Sequence, residues 1–179
     1  MDQINISETL SPLYNNDHES RIKALFINIF IQQNRIQTAY ERISADISTK
    51  QWLLIGMTVN CPEPKTLTRI GQLMGCSRQN VKQLAEALAA KGYIKIVKGS
   101  SRCVCLELTE KANLYYDEIY NIRKEFLDKL YGVFTEDELI TLYNMQAKLF
   151  EGIELAEKYA FEQSGSQKQG SEKELAGRS

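Results

Sequence analysis

The sequence has very little histidine and lacks the short motifs that mark many enzymes. Its single histidine, His18, lies near the N-terminus, so a Ser/His/Asp or Cys/His catalytic arrangement would have to include that one residue. No Gly-x-Ser-x-Gly elbow and no glycine-rich phosphate-binding loop is present. We therefore expect a protein that is not an enzyme and that uses no cofactor.

Long apolar runs and a secretory leader are also missing. No stretch reaches the roughly 18 apolar residues that a transmembrane helix needs. The first ten residues, MDQINISETL, are polar and acidic, unlike the apolar part of a signal peptide. We expect a cytoplasmic protein whose 4 cysteines are thiols rather than a disulfide framework.

The cysteines lack the paired spacing of a zinc site. Cys103 and Cys105 form one Cys-x-Cys on a predicted strand, so both side chains point to the same face. Together with Cys61 and Cys76 they could form a metal or redox site. A single Cys-x-Cys falls short of a zinc motif, and cysteine is often simply a core residue. We predict no metal site and retain a thiol- or metal-responsive regulator as an alternative.

A basic segment, residues 65–102, stands out in an otherwise acidic chain. It contains eight basic residues and one acid, Glu86, and so carries a net charge of +7. The whole chain carries −1, which leaves −8 for everything outside the segment. A basic region on an acidic protein indicates a surface for a polyanion.

The periodicity of the basic segment predicts two helices joined by a tight turn. The apolar face of the second helix, residues 77–91, has the i, i+3, i+4, i+7 spacing and consists of Val81, Leu84, Ala85 and Leu88. Ser77 suits the N-cap of this helix, and Gly75 suits the turn that ends the shorter helix before it. The pair forms a helix-turn-helix, whose second helix exposes side chains of the types that contact bases and phosphates.

The residues after this helix predict a β-hairpin. Residues 93–97 alternate apolar and basic side chains, as a half-buried strand does, and residues 103–108 are typical of a returning strand. Between them, residues 98–102 form a small polar turn with a basic residue at each end. A helix-turn-helix followed by a basic hairpin is a winged helix.

These elements resemble those of the multiple-antibiotic-resistance regulator (MarR) family of transcription factors. The phrase IGQLMGCSRQNVKQLAEALAAKGYIKI and the following LELTEKA carry the resemblance, which covers residues 19–159. It implies a mostly α-helical winged helix-turn-helix with a two-stranded β-wing and long N- and C-terminal dimerisation helices. It also implies a small-molecule effector. The wing departs from the family in having Ser100 and Ser101 but no acid, and Ala112 stands where the family has glycine.

The helices flanking the basic segment predict a dimer. Residues 21–43 predict a helix that is apolar around most of its circumference over two turns, and a Thr135–Glu138 capping box opens the last helix. This apolar surface exceeds what one small winged helix needs, and twofold dimers are the commonest oligomers. The predicted dimer interface consists of Ile22, Leu25, Phe26, Ile29, Phe30, Leu149 and Ile153.

The chain is thereby divided into four parts. Residues 1–18 form a flexible arm, residues 19–47 and 109–160 the helical dimerisation region, and residues 48–108 the DNA-binding lobe. Within these, Ser48 and Gln51 suggest a capping box, and Thr109 caps a helix that reaches about Tyr131. Residues 163–179 lack aromatics and periodicity, which predicts a disordered tail.

We interpret the sequence as that of a homodimeric, sequence-specific DNA-binding regulator, a repressor, on a pseudo-palindromic operator. A small-molecule effector of unknown identity would adjust its affinity for double-stranded DNA. A winged helix that binds proteins instead of DNA is the second alternative. The predicted DNA-contacting residues are Thr66, Thr68, Ser77, Arg78, Gln79, Asn80, Lys82, Gln83, Lys98, Ser100, Ser101 and Arg102.

Overall fold

The computed structural model describes residues 8–9, 17–44, 46–99 and 103–176, with side chains as far as residue 164. Within this part of the chain it contains seven main helices and a two-stranded sheet. The elements are α1 His18–Glu41, α2 Thr49–Asn60, α3 Leu67–Met74, α4 Arg78–Ala90, β1 Ile94–Lys98, β2 Val104–Leu108, α5 Glu110–Glu118, α6 Tyr120–Tyr131 and α7 Glu136–Ala176.

The chain divides into two compact units. Met1–Lys124 contains α1 to α5, the sheet and the start of α6, and Glu125–Ser179 contains the rest of α6 and α7. The mostly α-helical winged-helix class predicted from the sequence is confirmed.

The helix-turn-helix forms where the capping residues predict it. The Ser77 side chain accepts a hydrogen bond from Asn80 N at 3.2 Å, which satisfies one orphan amide of α4. Gly75 ends α3 in the left-handed region with φ 63°, a conformation that a residue with a Cβ rarely adopts. These two local choices set the short turn between α3 and α4.

One core holds the lobe together. It joins α2, α3, α4, the sheet and α5, and its largest fully buried apolar side chains are Ile47, Leu54, Ile55, Ile70, Val81, Leu88 and Leu106. Burying each large aliphatic side chain contributes about 1.5–3 kcal/mol. Ala112, the departure from the family glycine, is also completely buried. The predicted apolar face of α4 is confirmed, with Leu84 at its half-buried edge.

The wing is an antiparallel hairpin in which Val97 pairs with Cys105. Both strands begin one residue later than predicted. In β1 the reason is that Tyr93 still belongs to the turn after α4, where its N–H donates to Leu88 O at 2.9 Å. Strand β2 is also held from its other side: Leu106 N donates to Lys65 O at 3.0 Å, and Thr66 bridges to Cys105. The second strand is therefore fixed along both edges.

The predicted single helix from Thr109 to Tyr131 is wrong. The structure has two helices, α5 and α6, separated at Ile119, whose φ −91° and ψ 0° interrupt the helical backbone. Thr109 makes no side-chain cap; its hydroxyl instead donates to Gly92 O and Tyr93 O. The apolar stripe continues across Ile119, which is why periodicity alone gave no break.

The outer helices differ from their predicted limits. Helix α1 begins at His18, after an Asp17 cap that accepts from Ser20 N at 2.9 Å, so the last residue of the predicted arm is helical. Residues 1–7 and 10–16 of that arm lie outside the described residues. Both predicted capping boxes, at Ser48 and at Thr135, are confirmed.

The backbone of α7 is helical to Ala176, and this corrects the predicted disordered tail. The difference has a physical reason. No proline occurs after Pro64, so no proline interrupts the backbone hydrogen bonds of the helix. Extending an existing helix also avoids the free-energy cost of nucleating a new one. Residues 177–179 lie outside the described part.

Candidate nucleic-acid interface

Helix α4 separates its two faces cleanly. Val81, Ala85 and Leu88 are completely buried in the lobe core. The opposite face is exposed to solvent and consists of Arg78, Gln79, Asn80, Lys82 and Gln83, with Glu86 one turn later. The helix therefore presents donors and acceptors from a rigid support, with its first turn at the tight turn of the helix-turn-helix. We call these five residues the reading face.

Over residues 65–99, the part of the basic segment that the structure describes, the charges are only weakly compensated. Lys82 pairs with Glu86 at 3.6 Å across one helical turn, and both side chains are about half exposed. Such surface pairs contribute little and leave the lysine available to a stronger partner. Lys65 lies 3.8 Å from Glu63, just outside the segment. The positive potential of the segment is thus largely retained at the surface.

Several basic side chains have structural contacts as well. Arg69 donates to Glu63 O at 2.7 Å, and Lys91 Nζ donates to Asp46 O. Lys111 donates to Lys91 O at 2.8 Å and lies 4.4 Å above the Tyr93 ring. Carbonyl partners leave the positive charge in place, but they hold these three side chains within the lobe.

The hydroxyl residues of the predicted site have mixed roles. Thr66 and Ser77 use their side-chain oxygens to cap α3 and α4, accepting from Arg69 N and Asn80 N at 3.2 Å each. Each hydroxyl hydrogen is still a donor that could reach a phosphate. Thr68 is exposed on the first turn of α3.

The structure describes the wing as far as Gly99 on the first strand and from Cys103 on the second. Lys98 is exposed at the end of β1. Ser100, Ser101 and Arg102 lie outside the described residues, so their predicted contact with DNA stays a prediction.

The predicted interface residues on α1 and α7 are all exposed in the single chain. Leu25 and Phe26 are 67% and 62% exposed, and the Phe26 and Phe30 rings meet edge to face at 5.1 Å. Ile22, Ile29, Leu149 and Ile153 are exposed as well. Each helix thus carries a wide apolar face, and the two helices belong to different units of the chain.

An aromatic cluster that sequence reasoning missed lies beside the lobe core. The rings of Tyr40 and Trp52 are 5.5 Å apart, and the guanidinium of Arg123 lies 5.0 Å from the Tyr116 ring and 5.9 Å from the Trp52 ring. A small cleft next to it is lined by Tyr40, Ile43, Ser44, Ile119, Ile122 and Arg123. These residues come from separate helices, so no spacing in the sequence could have linked them.

The aromatic cluster is arranged around a positive charge. Burial raises the pKa of Tyr40 to about 12, with neighbouring Tyr115 adding to the shift and Arg123 opposing it. The phenol is therefore neutral at physiological pH. Among the described residues, Arg123 forms no salt bridge, and the buried indole N–H of Trp52 has no hydrogen-bond partner.

The cysteines do not form one cluster. Cys61 is buried and its thiol contacts Pro62 O, while Cys76 packs against the lobe core. Cys103 and Cys105 share a face, as predicted, with their sulfurs 3.7 Å apart. No group of three potential metal-binding side chains occurs within the described ranges.

A helix that crosses a membrane must be both long and strongly apolar. In the part of the chain that the structure describes, no helix combines enough length with enough apolar character to cross a membrane.

Solved structures of other proteins identify the fold, although the sequence searches found no match. No family model matches the sequence, and no curated protein matches it. Solved structures do match. A MarR/EmrR family regulator from Acinetobacter sp. ADP1 is 21% identical, with a TM-score of 0.62 over 77% of this chain and 99% of that one. The organohalide-sensing regulator RdhR-CbdbA1625, ligand free, is 18% identical, with a TM-score of 0.63 over 82% and 84%.

A third match is a DNA complex. MepR of S. aureus, solved with DNA, is 17% identical, with a TM-score of 0.59 over 73% of this chain and 96% of that one. RdhR-CbdbA1625 has also been solved with 2,4-dichlorophenol bound. The chain therefore has the winged-helix fold of MarR family transcriptional regulators.

Proposed function

We propose that this protein is a sequence-specific DNA-binding transcriptional regulator that represses from a pseudo-palindromic operator as a homodimer. The observation that carries the proposal is the reading face of α4. Five polar or basic side chains are exposed on a helix whose opposite side is completely buried. A helix held in this way can enter a major groove, where Arg and Gln make bidentate contacts with guanine and adenine.

Charge supports the same conclusion. Residues 65–102 carry a net charge of +7, and a dimer would present this charge twice. Among the described residues of this segment, only Lys65 and Lys82 form ion pairs, with Glu63 and Glu86. The solved MepR–DNA complex supports a DNA ligand for this fold. A charged helix face alone would suit solvent equally well, but here it coincides with the helix-turn-helix and the wing.

The exposed apolar faces of α1 and α7 support the dimer. A monomer would leave Leu25, Phe26 and Phe30 in water, within an apolar patch larger than soluble surfaces usually carry. A twofold pair of lobes reads half-sites spaced by one helical turn, about 34–36 Å.

The DNA proposal is tested by selection followed by a salt titration. Duplexes selected by the full-length protein from a random library should share a twofold motif. If six to ten phosphates are contacted, affinity falls by roughly 10³–10⁵ between 50 and 200 mM salt, measured by fluorescence anisotropy. A flat salt response without sequence preference would instead indicate a protein-interaction module.

The reading face is tested residue by residue. Gln79→Ala removes an edge contact and should relax preference at one operator position by about 1–3 kcal/mol. Arg102→Ala, at the predicted wing tip, should weaken all sequences alike because it removes a phosphate contact. Arg35→Ala is the matched control, since Arg35 is exposed on α1, outside the basic segment. Unchanged binding by Gln79→Ala would contradict the assignment of α4, and unchanged binding by Arg102→Ala would contradict the wing contact.

The aromatic cluster supports an effector of aromatic, anionic chemistry. The Arg123 guanidinium can bind a carboxylate or phenolate, while Tyr40, Trp52 and Tyr116 provide flat apolar contacts. The 2,4-dichlorophenol complex of RdhR-CbdbA1625 supports this chemical class. We therefore propose that an aromatic acid or phenol is the effector.

The effector proposal has a built-in reporter, because Trp52 is the only tryptophan. Titration with benzoate and 2,4-dichlorophenol should change its fluorescence and weaken operator binding. Arg123→Gln should reduce the fluorescence response, whereas Arg35→Gln should not. A wild-type signal that responds to neither probe would contradict an aromatic anion at this cluster.

A further inference from the structure

The wing contains a pair of thiols that the proposed DNA contacts do not use. Cys103 and Cys105 lie on one face of the hairpin, and their sulfurs approach to 3.7 Å. Cys103 O accepts from Gly99 N at 2.8 Å, so the pair lies on the rung nearest the predicted wing tip. We propose that Cys103 and Cys105 bind one soft, thiophilic cation of the Cu(I) class as a two-coordinate dithiolate.

Space for the ion is provided by Gly99. A Cβ at this position would lie 2.7 Å from both sulfurs, closer than real contacts allow, so every other residue would displace the thiols. The glycine faces the pair across the hairpin and leaves room for the sulfurs to turn about an ion.

One thiol is held rigidly and the other lies at the strand end. Cys105 is 8% exposed, pairs with Val97 on one side and bridges to Thr66 on the other. Cys103 is partly exposed and precedes β2, so it offers the path by which an ion enters. A fixed ligand beside an accessible one suits capture of an ion from solution.

The number and type of ligands favour a soft ion of low coordination number. Thiolates select Cu(I), zinc or iron–sulfur clusters among biological metals. Structural zinc takes four ligands, and no third metal-binding side chain joins the pair in the described ranges. Two thiolates are sufficient for a soft monovalent cation.

An internal disulfide between the two cysteines is disfavoured. Cα atoms two residues apart on a strand are about 6.6 Å apart, near the upper limit for a disulfide.

Binding changes the charge of the wing. Two S–H bonds break, two S–Cu bonds form and two protons leave, so two neutral thiols and one monovalent cation become a complex of charge −1. This negative charge develops on the rung beside Lys98 and the turn that carries Arg102. This negative charge has a regulatory consequence, which rests on the proposed DNA binding. The bound ion weakens the attraction of the wing for DNA phosphates.

The binding site is tested without DNA. Reduced full-length protein is titrated anaerobically with Cu(I) against a colorimetric Cu(I) chelator, with proton release followed by calorimetry in two buffers. We expect one Cu(I) and about two protons per chain. Cys103→Ser and Cys105→Ser should weaken binding by at least about 100-fold, since even outer-shell changes at metal sites cost 10–100-fold.

Two further variants sharpen this test. Gly99→Ala keeps both thiols but fills their space, so it should also weaken binding, which covers the case in which Cys105→Ser fails to fold. Cys76→Ser is the matched control and should bind as wild type does. Wild-type affinity in Cys103→Ser, tighter binding of Zn(II) than of Cu(I), or an internal disulfide formed by hydroperoxide without Cu(I) binding would each overturn the site.

The regulatory consequence is tested separately by anisotropy. Stoichiometric Cu(I) should weaken operator binding by wild type about tenfold at low salt, the effect expected of one added charge beside each wing. Cys103→Ser should not respond. Cu(I) binding with unchanged DNA affinity overturns the regulation alone, whereas absence of DNA binding without copper overturns the proposed function and leaves the metal result standing.

Discussion

Apolar side chains are distributed in opposite ways in the winged-helix lobe and on helix α1. In the lobe, Leu54, Ile70 and Leu88 are completely buried in one continuous core. On α1, Leu25 and Phe26 are more than 60% exposed, although the helix is equally well formed. The lobe thus completes its own core, whereas α1 has a surface that suits a second chain. Helix α7 carries a similar exposed face, including Leu149 and Ile153.

The largest effect is expected from a charge on the exposed face of α1. Wild type should scatter light as a dimer of about 41 kDa, twice the 20.5 kDa chain. Phe26→Glu should give monomer or unfolded protein and abolish tight operator binding, because an unpaired charge buried in an interface costs several kcal/mol. Thr38→Glu, an exposed polar position on the opposite side of the same helix, should remain dimeric.

A wild-type mass near 20.5 kDa would contradict the proposal that a second chain covers the apolar face of α1. It would mean that α1 tolerates its apolar face in water, and the twofold operator would lose its support.

A smaller effect is expected from a cavity in the lobe core. Ile70→Ala should lower the free energy of unfolding by about 2–5 kcal/mol, since Ile70 is completely buried. Leu73→Ala is the matched control on the same helix; Leu73 is 52% exposed, so the change should be within about 0.5 kcal/mol. Urea unfolding at fixed protein concentration measures both. Equal losses would show that α3 is not packed as the structure has it.

The smallest effect is expected at the two capping boxes. Ser48→Ala removes the side chain that accepts from Gln51 N and should cost about 1 kcal/mol, because α2 is part of the lobe core. Thr135→Ala makes the same change at α7, where the first turn is exposed, and should cost about 0.5 kcal/mol, the low end for caps. Thermal unfolding of the two variants, each against wild type, checks the order. A larger loss of stability in Thr135→Ala than in Ser48→Ala would show that the α7 cap contributes more to the free energy of unfolding than the α2 cap does.

Local rules explain which elements were predictable. The Ser48, Ser77 and Thr135 caps, the Gly75 turn and the buried face of α4 all follow from residue type and spacing, because their partners lie within a few residues. The exposure of the reading face follows from the same spacing. The Cys103–Cys105 pairing was also predictable, because alternate residues of a strand share a face.

The sequence by itself determined the winged helix, since its caps, turns and periodicities are local and mutually consistent. Only the tertiary structure decided three other features. Ile119 divides the predicted long helix although the apolar stripe continues. Trp52, Tyr116 and Arg123 converge from different helices. Gly99 lies opposite the two thiols across the hairpin. Each depends on contacts between residues distant along the chain or on different elements, and hydrophobic periodicity carries no information about which distant residues meet.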